Sequence, residues 1–116
     1  MKQPLENRTK LFALQIINLI ATMTRNPITN VLGRQLLKSG TSIGANYREA
    51  SRAESHDDFI HKIGICAKES AETQYWLELF LEAKLLNAER CEVLRREASE
   101  LLAIFVASGR TAKKSS

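Results

Sequence analysis

The sequence predicts an all-α protein, an up-and-down antiparallel four-helix bundle, on three observations. Apolar residues recur at intervals of three and four along four segments, which is the spacing of one buried helix face. Proline and glycine are scarce, with two and five residues respectively, so little interrupts these segments. The connections between the segments are short, as in bundles of antiparallel neighbours. We expect residues 1–109 to form the bundle and residues 110–116 to form a basic flexible tail.

The first helix is predicted over residues 5–24. Pro4 suits its first turn, and Pro27 ends it because proline has no N–H and disfavours helical geometry at the residue before it. The spacing of its apolar residues predicts one buried face, made of Leu5, Phe12, Ile16, Leu19, Ile20 and Met23.

The second helix is predicted over residues 30–52. Gly33, Gly40 and Gly44 lie in its interior, where each glycine costs roughly 1 kcal/mol relative to alanine. Glycine is accepted in such places where another backbone comes close. We therefore expect this helix to pack tightly against a neighbour.

The third helix is predicted over residues 56–85 and the fourth over residues 88–108. Ser55 and Asn87 are suitable N-terminal caps, because their side-chain oxygens can accept hydrogen bonds from the first free N–H groups. Gly109 is a plausible C-terminal stop for the fourth helix.

Two of the helices carry a second apolar stripe that a lone bundle does not use. Exposed apolar patches usually mark an interface, and most oligomers are homo-oligomers, so the stripes favour self-association. The alternative is that the stripe on the third helix covers the end of the core. The stripes are Ile65, Trp76, Leu79 and Ala83 on the third helix, and Val93 and Ile104 on the fourth.

Composition limits the partners and the compartment. The formal net charge of +4 and a pI of about 9.3 permit a nucleic acid or an acidic membrane as partner without requiring either. Cys66 and Cys91 are far apart on apolar helix faces, as expected of buried, reduced thiols in a cytoplasmic protein. No signal peptide is visible, and no apolar run is long enough to span a membrane.

A stripe of cations on the second helix is the candidate nucleic-acid surface. Arg34, Lys38, Arg48 and Arg52 fall within roughly 40° of one line along the helix. Such a stripe can contact phosphates, and because no aromatic side chain lies among these cations, binding would be weakly sequence-specific. The alternative is a solvated helix face.

A second set of residues is expected at helix contacts or at an interface between protomers. A polar strip next to a core can orient helices through hydrogen bonds. We expect Glu72 to be partly buried and to meet a basic or amide group on a neighbouring helix, within the protomer or across a subunit interface. The alternative is a solvated carboxylate. The set comprises Ser39, Asn46, Glu49, Glu69, Glu72 and Trp76.

The sequence gives little support for an enzyme. A di-metal site in a four-helix bundle needs Glu-x-x-His pairs, and neither His56 nor His61 follows a glutamate at that spacing. The cysteines lie on packing stripes, and Gly40 and Gly44 lie within a helix rather than in a phosphate-binding loop. We expect no metal and no cofactor.

Three segments together resemble one bacterial family of four-helix-bundle proteins. They are S-G-T-S-I-G-A-N-Y-R-E-A (39–50), D-F-I-H-K-I (58–63) and K-E-S-A-E-T-Q-Y-W-L-E-L-F (68–80). The family includes proteins encoded in intervening sequences of large-subunit ribosomal RNA genes, and the accessory variability protein of diversity-generating retroelements is similar to it. Ser39, Ile43, Asn46 and Glu49 match its helix-2 pattern, and Glu72 matches an acidic position on helix 3.

The resemblance implies a small bundle that assembles into a homopentameric ring. Members of the retroelement branch are similar in using a basic surface to engage RNA and a reverse transcriptase. We therefore expect a non-enzymatic accessory module associated with RNA through the basic surface of helix 2. The alternative is a structural scaffold that binds a protein partner and no nucleic acid.

Overall fold

The computed structural model describes residues 4–115, and within that range the chain forms four α-helices and no strand. The prediction of an all-α four-helix fold is confirmed. Its longest dimension is 47 Å, close to the length of its longest helices. The helices are α1 (Leu5–Ala21), α2 (Pro27–Ser51), α3 (His56–Glu82) and α4 (Ala88–Lys114).

Contacts between α1 and α2 show that the two helices are antiparallel. A Cβ atom built on Gly33 would lie 2.7 Å from Met23, near the end of α1. A Cβ atom built on Gly44, further along α2, would lie 3.2 Å from Thr9, near the start of α1. α3 packs on α2 and α4 packs on both α3 and α1, which completes the bundle.

The glycines of α2 bring its backbone close to α1, as the sequence predicted. A Cβ atom built on Gly40 would lie 3.0 Å from Cγ1 and 3.1 Å from Cγ2 of Ile16. The Ile16 side chain is completely buried, so it has little room to move away. The helix accepts the conformational cost of glycine here because any larger residue would push the two helices apart.

The turn between α1 and α2 differs from the sequence prediction. α1 ends at Ala21 rather than residue 24, and α2 begins at Pro27 rather than residue 30. Asn26 caps α2, since its Oδ1 accepts from the N–H of Thr29 at 3.0 Å while the Thr29 hydroxyl accepts from the N–H of Asn26. Pro27 therefore occupies the first position of a helix, which its fixed φ favours, as well as closing the preceding turn.

The C-terminal helix is longer than predicted. Gly109 does not stop α4, and the expected flexible tail after residue 109 is helical as far as Lys114. Ala112 is buried, and Nε2 of His56 donates to its carbonyl oxygen at 2.7 Å. This contact with the start of α3 stabilises the helical conformation beyond Gly109, and it outweighs the tendency of glycine to end a helix. The predicted caps at Ser55 and Asn87 are confirmed, with oxygen-to-nitrogen distances of 3.0 Å each.

The core runs along the bundle axis, but the seam between α1 and α4 is more open than the others. Few backbone positions of α1 lie close to α4. Arg8 joins the two helices, because its guanidinium donates two hydrogen bonds of 2.7 Å to Glu97. The core side chains are less than 5% exposed and include Phe12, Ile16, Leu19, Leu36, Ile43, Ile63, Leu77, Phe80, Leu101 and Phe105.

Candidate nucleic-acid interface

All four residues of the predicted basic stripe are exposed on the outer face of α2. Leu36 and Ile43 occupy the opposite face of the helix and are completely buried. The burial of that apolar face fixes the rotation of α2, and the rotation turns the cations outward. The structure therefore places Arg34, Lys38, Arg48 and Arg52 on one solvent-facing surface.

The stripe divides into two electrostatically different halves. At the C-terminal half, the carboxylate of Glu6 on α1 lies 3.8 Å from Arg48 and 3.4 Å from Arg52. These two arginines also line a groove of about 400 Å³ together with Lys62 and three acidic residues, Glu49, Glu54 and Asp58. Their charge is therefore partly compensated before any ligand arrives.

The N-terminal half of the stripe is not compensated in this way. Among residues 4–115, neither Arg34 nor Lys38 has a carboxylate within 4.0 Å. One helical turn separates them, which is about 6 Å along the axis. Lys38 interacts with the Glu69 carboxyl only at longer range, so these two adjacent exposed cations are more available to phosphate oxygens than Arg48 and Arg52 are.

Ser39 joins α2 to α3 inside the bundle. The hydroxyl of Thr73 lies 2.9 Å from the Ser39 hydroxyl, and both residues are at most 2% exposed. The Ser39 hydroxyl itself donates to the carbonyl oxygen of Leu36 at 3.3 Å. Ser39 is thus part of a satisfied polar contact in the core, and its expected role at a helix contact fits this geometry.

Asn46 contacts its own helix, whereas Glu49 contacts the neighbouring helix. The Asn46 amide donates to the carbonyl oxygen of Ser42 in its own helix at 2.8 Å. The Glu49 carboxylate accepts from Nζ of Lys62 on α3 at 2.7 Å. This ion pair is solvent-accessible, so it contributes little to stability.

Glu69 and Glu72 lie one turn apart on the outer side of α3. Burial, together with repulsion from Glu72, raises the pKa of the half-buried Glu69 carboxyl, although Lys68 and Lys38 oppose the shift. Glu72 was expected to be partly buried and to meet a basic or amide group within the protomer or across a subunit interface. Within the protomer the expected partial burial is wrong, whereas a contact across a subunit interface stays a prediction. The Glu72 side chain is exposed and forms no ion pair within residues 4–115, because it points away from both neighbouring helices.

Trp76 is half-buried against the core, and its indole N–H is not satisfied. Nε1 is buried and finds no acceptor among the described residues. The ring contacts Tyr75 edge-on, with centroids 5.1 Å apart. A buried donor without an acceptor costs roughly 1–3 kcal/mol, and the apolar contacts of the ring with the core oppose this cost.

The described residues contain no group of three or more His, Cys, Asp or Glu side chains that could hold a metal ion. Burial raises the pKa of the Cys66 thiol to about 12, and burial likewise raises the pKa of Cys91. Both thiols are free and buried, as predicted. No helix in the described range has the length and hydropathy required to cross a bilayer.

Sequence reasoning missed an exposed apolar ridge on α1. Leu11, Leu14 and Ile17 are 46%, 47% and 43% exposed. The buried face of α1 was predicted correctly. The exposed apolar face could also have been predicted, because large apolar residues recur every three positions on the other side of the helix. Tyr75 on α3 is 53% exposed and was also not among the predicted site residues.

Comparison with known proteins identifies a family and a structural relative. Residues 4–107 match the family model described as 23S rRNA-intervening sequence protein. The fold is similar to the crystal structure of a protein of unknown function from the S23 ribosomal protein family of Bacteroides thetaiotaomicron. That protein is 36% identical, with a TM-score of 0.82 over 90% of this chain and 96% of its own. No curated protein matches the chain.

Proposed function

The chain belongs to the family of 23S rRNA-intervening sequence proteins, and from this premise we propose that it is a non-enzymatic accessory protein that associates with RNA. The proposed contact surface is the basic outer face of α2. The observation that carries the proposal is the pair of exposed cations Arg34 and Lys38 on that face, neither of which has a carboxylate within 4.0 Å among residues 4–115. Buried free thiols are consistent with a cytoplasmic location.

The shape of the surface suits the RNA backbone rather than the bases. Arg34 and Arg52 are separated by about 27 Å along a straight helix, which is long enough for several phosphates. The one aromatic residue of α2, Tyr47, packs inward against Phe105 with ring centroids 5.9 Å apart. Without a stacking platform on the face, recognition depends on charge and is weakly specific for sequence.

The charge of α3 supports this choice of face. α3 carries six acidic and two basic side chains, a net charge of −4, although the whole chain is +4. Phosphates would be repelled from the outer side of α3 and attracted to α2. The protein therefore has one basic side that suits RNA and one acidic side that does not.

We also propose that the protein self-associates, as a homopentameric ring in the form that the family resemblance implies. Repetition of the α2 face around a ring would present several basic surfaces to one RNA. Linked weak sites bind more tightly than one site alone, because later contacts become intramolecular.

The proposal is tested by neutralising cations in matched pairs. Arg34→Gln/Lys38→Gln and the control Arg110→Gln/Lys114→Gln each remove two positive charges from exposed positions. Binding of a fluorescent structured RNA should weaken at least about tenfold in the α2 variant and much less in the control. Equal losses in the two variants would show that only net charge matters and would reject the α2 surface.

A structural scaffold that binds a protein partner without RNA is the second candidate. The exposed apolar side chains Leu11, Leu14 and Ile17 favour it. A protein partner that co-purifies and is released by Leu14→Glu, together with no RNA binding at low salt, would favour the scaffold.

A further inference from the structure

We infer that the exposed apolar face of α1 in one protomer packs against the acidic outer face of α3 in the next protomer. This inference rests on the self-association proposed above and specifies the two surfaces that meet. The α1 face consists of Leu11, Leu14 and Ile17, and the α3 face is centred on Tyr75 and Leu79. Two different surfaces of the same chain would thus form a head-to-tail contact.

The α1 face is apolar and is flanked by positive charge. Three large apolar side chains, each more than 40% exposed, lie along this helix. Lys10 and Arg25 are exposed near the two ends of this row, and neither has a carboxylate within 4.0 Å in the described range. A partner for this surface therefore needs apolar side chains and acidic groups.

The α3 face has that composition. Tyr75 is 53% exposed and Leu79 is half-buried, so apolar surface is available here. Glu72 and Glu82 are exposed on either side of these residues and have no ion pair within residues 4–115. The exposed Lys68, two turns before Tyr75, offsets part of this negative charge.

The two faces also match in length and in position. Leu11 to Ile17 spans about 9 Å of α1, and Tyr75 to Leu79 spans about 6 Å of α3. Within the described residues α1 does not contact α3, because the two helices occupy opposite corners of the bundle. Their outer faces therefore point in opposite directions, so each protomer can use both at once.

This arrangement leaves the basic face of α2 free. α2 occupies the corner between α1 and α3 and contacts both of them. A head-to-tail contact through α1 and α3 repeats the Arg34 and Lys38 pair in every protomer without covering it. Closure of such a contact gives a ring, whereas a two-fold contact of α1 with α1 would stop at a dimer.

Three matched substitutions test the assignment. Leu14→Glu places a charge on the α1 face, and Tyr75→Glu places one on the α3 face. Val106→Glu, at a residue 38% exposed on α4, is the control. All three positions are exposed, so each variant should keep the fold, which circular dichroism and the melting temperature would check. Masses are measured by sedimentation over a range of protein concentrations.

The expected result combines loss of assembly with rescue on mixing. Leu14→Glu and Tyr75→Glu should each shift from the wild-type oligomer to the 13.0 kDa protomer, with dissociation midpoints at least about 30-fold higher. Val106→Glu should keep the wild-type mass. An equimolar mixture of the two monomeric variants should form a dimer of twice 13.0 kDa, because each variant retains the face that the other lacks.

Three outcomes would overturn the inference. If Leu14→Glu and Tyr75→Glu keep the wild-type mass, the faces are wrong although self-association stands. If the two variants are monomeric but do not pair on mixing, the contact is not head-to-tail. If the wild type is a monomer at every concentration, self-association itself fails, and the RNA titration with Arg34→Gln/Lys38→Gln still decides the RNA role separately.

Discussion

Alanine substitutions at two glycines provide a direct test of the packing between α1 and α2. Gly40→Ala and Gly64→Ala both gain the helix propensity of alanine, which is worth about 1 kcal/mol. At Gly40 the added methyl group would lie 3.0 Å from Ile16, whereas at Gly64 nothing lies within 4 Å. The propensity gain cancels when the two variants are compared, so the comparison measures the clash alone.

The expected difference in Tm between the two variants depends on the cost of overpacking and on the length of the chain. Forcing a methyl group into a packed core costs roughly 1–3 kcal/mol. For 116 residues the entropy of unfolding converts 1 kcal/mol to about 4 °C in Tm. Gly64→Ala should melt about 4 °C above the wild type, and Gly40→Ala should melt about 4–12 °C below Gly64→Ala.

Thermal unfolding followed by circular dichroism at 222 nm provides the assay, with both variants at the same protein concentration. Equal melting temperatures for the two variants would refute the close approach of α2 to α1 at Gly40. A destabilised Gly64→Ala variant would show that another chain covers Gly64, and the surface of α3 would then need to be reassigned.

Three further predictions concern single side chains. Hydrogen bonds from Arg95 hold the pKa of Glu92 at about 2, below its ordinary value of 4.5. The stabilisation from this pair is therefore present above pH 4.5 and lost as the pH falls towards 2, and Glu92→Gln should flatten the dependence of Tm on pH in that window. Ser39→Ala and Thr73→Val should each lower the free energy of unfolding by about 1 kcal/mol, and together by less than the sum, because they share one hydrogen bond. Trp76→Phe should change the free energy of unfolding by less than about 1 kcal/mol in urea titrations, because the loss of apolar area is offset by removal of an unpaired buried donor.

The fold could be predicted from the sequence because each helix has one continuous apolar face. The glycines of α2 predicted that another helix packs closely against it, and at Gly40 the close neighbour is Ile16 of α1. The end of α4 could not be predicted locally. Gly109 indicated a stop, but the contact of His56 with Ala112, 56 residues apart in sequence, extends the helix.

The candidate site was predicted in outline but not in its electrostatics. Helical spacing was sufficient to place Arg34, Lys38, Arg48 and Arg52 on one face. Glu6 partly compensates the charge of Arg48 and Arg52 because α1 packs beside α2. The spacing of residues within α2 gives no information about that packing. For the same reason, the spacing did not decide between a partly buried Glu72 and the alternative of a solvated carboxylate.

RNA binding by the wild-type protein over a salt series tests the central claim most directly. If two phosphates per protomer are contacted by Arg34 and Lys38, the logarithm of the affinity should fall with the logarithm of salt concentration with a slope of about −1.4 or steeper. The Arg34→Gln/Lys38→Gln variant should lose about that much of the slope. An affinity for RNA that does not depend on salt, or no binding even at low salt, would contradict the account.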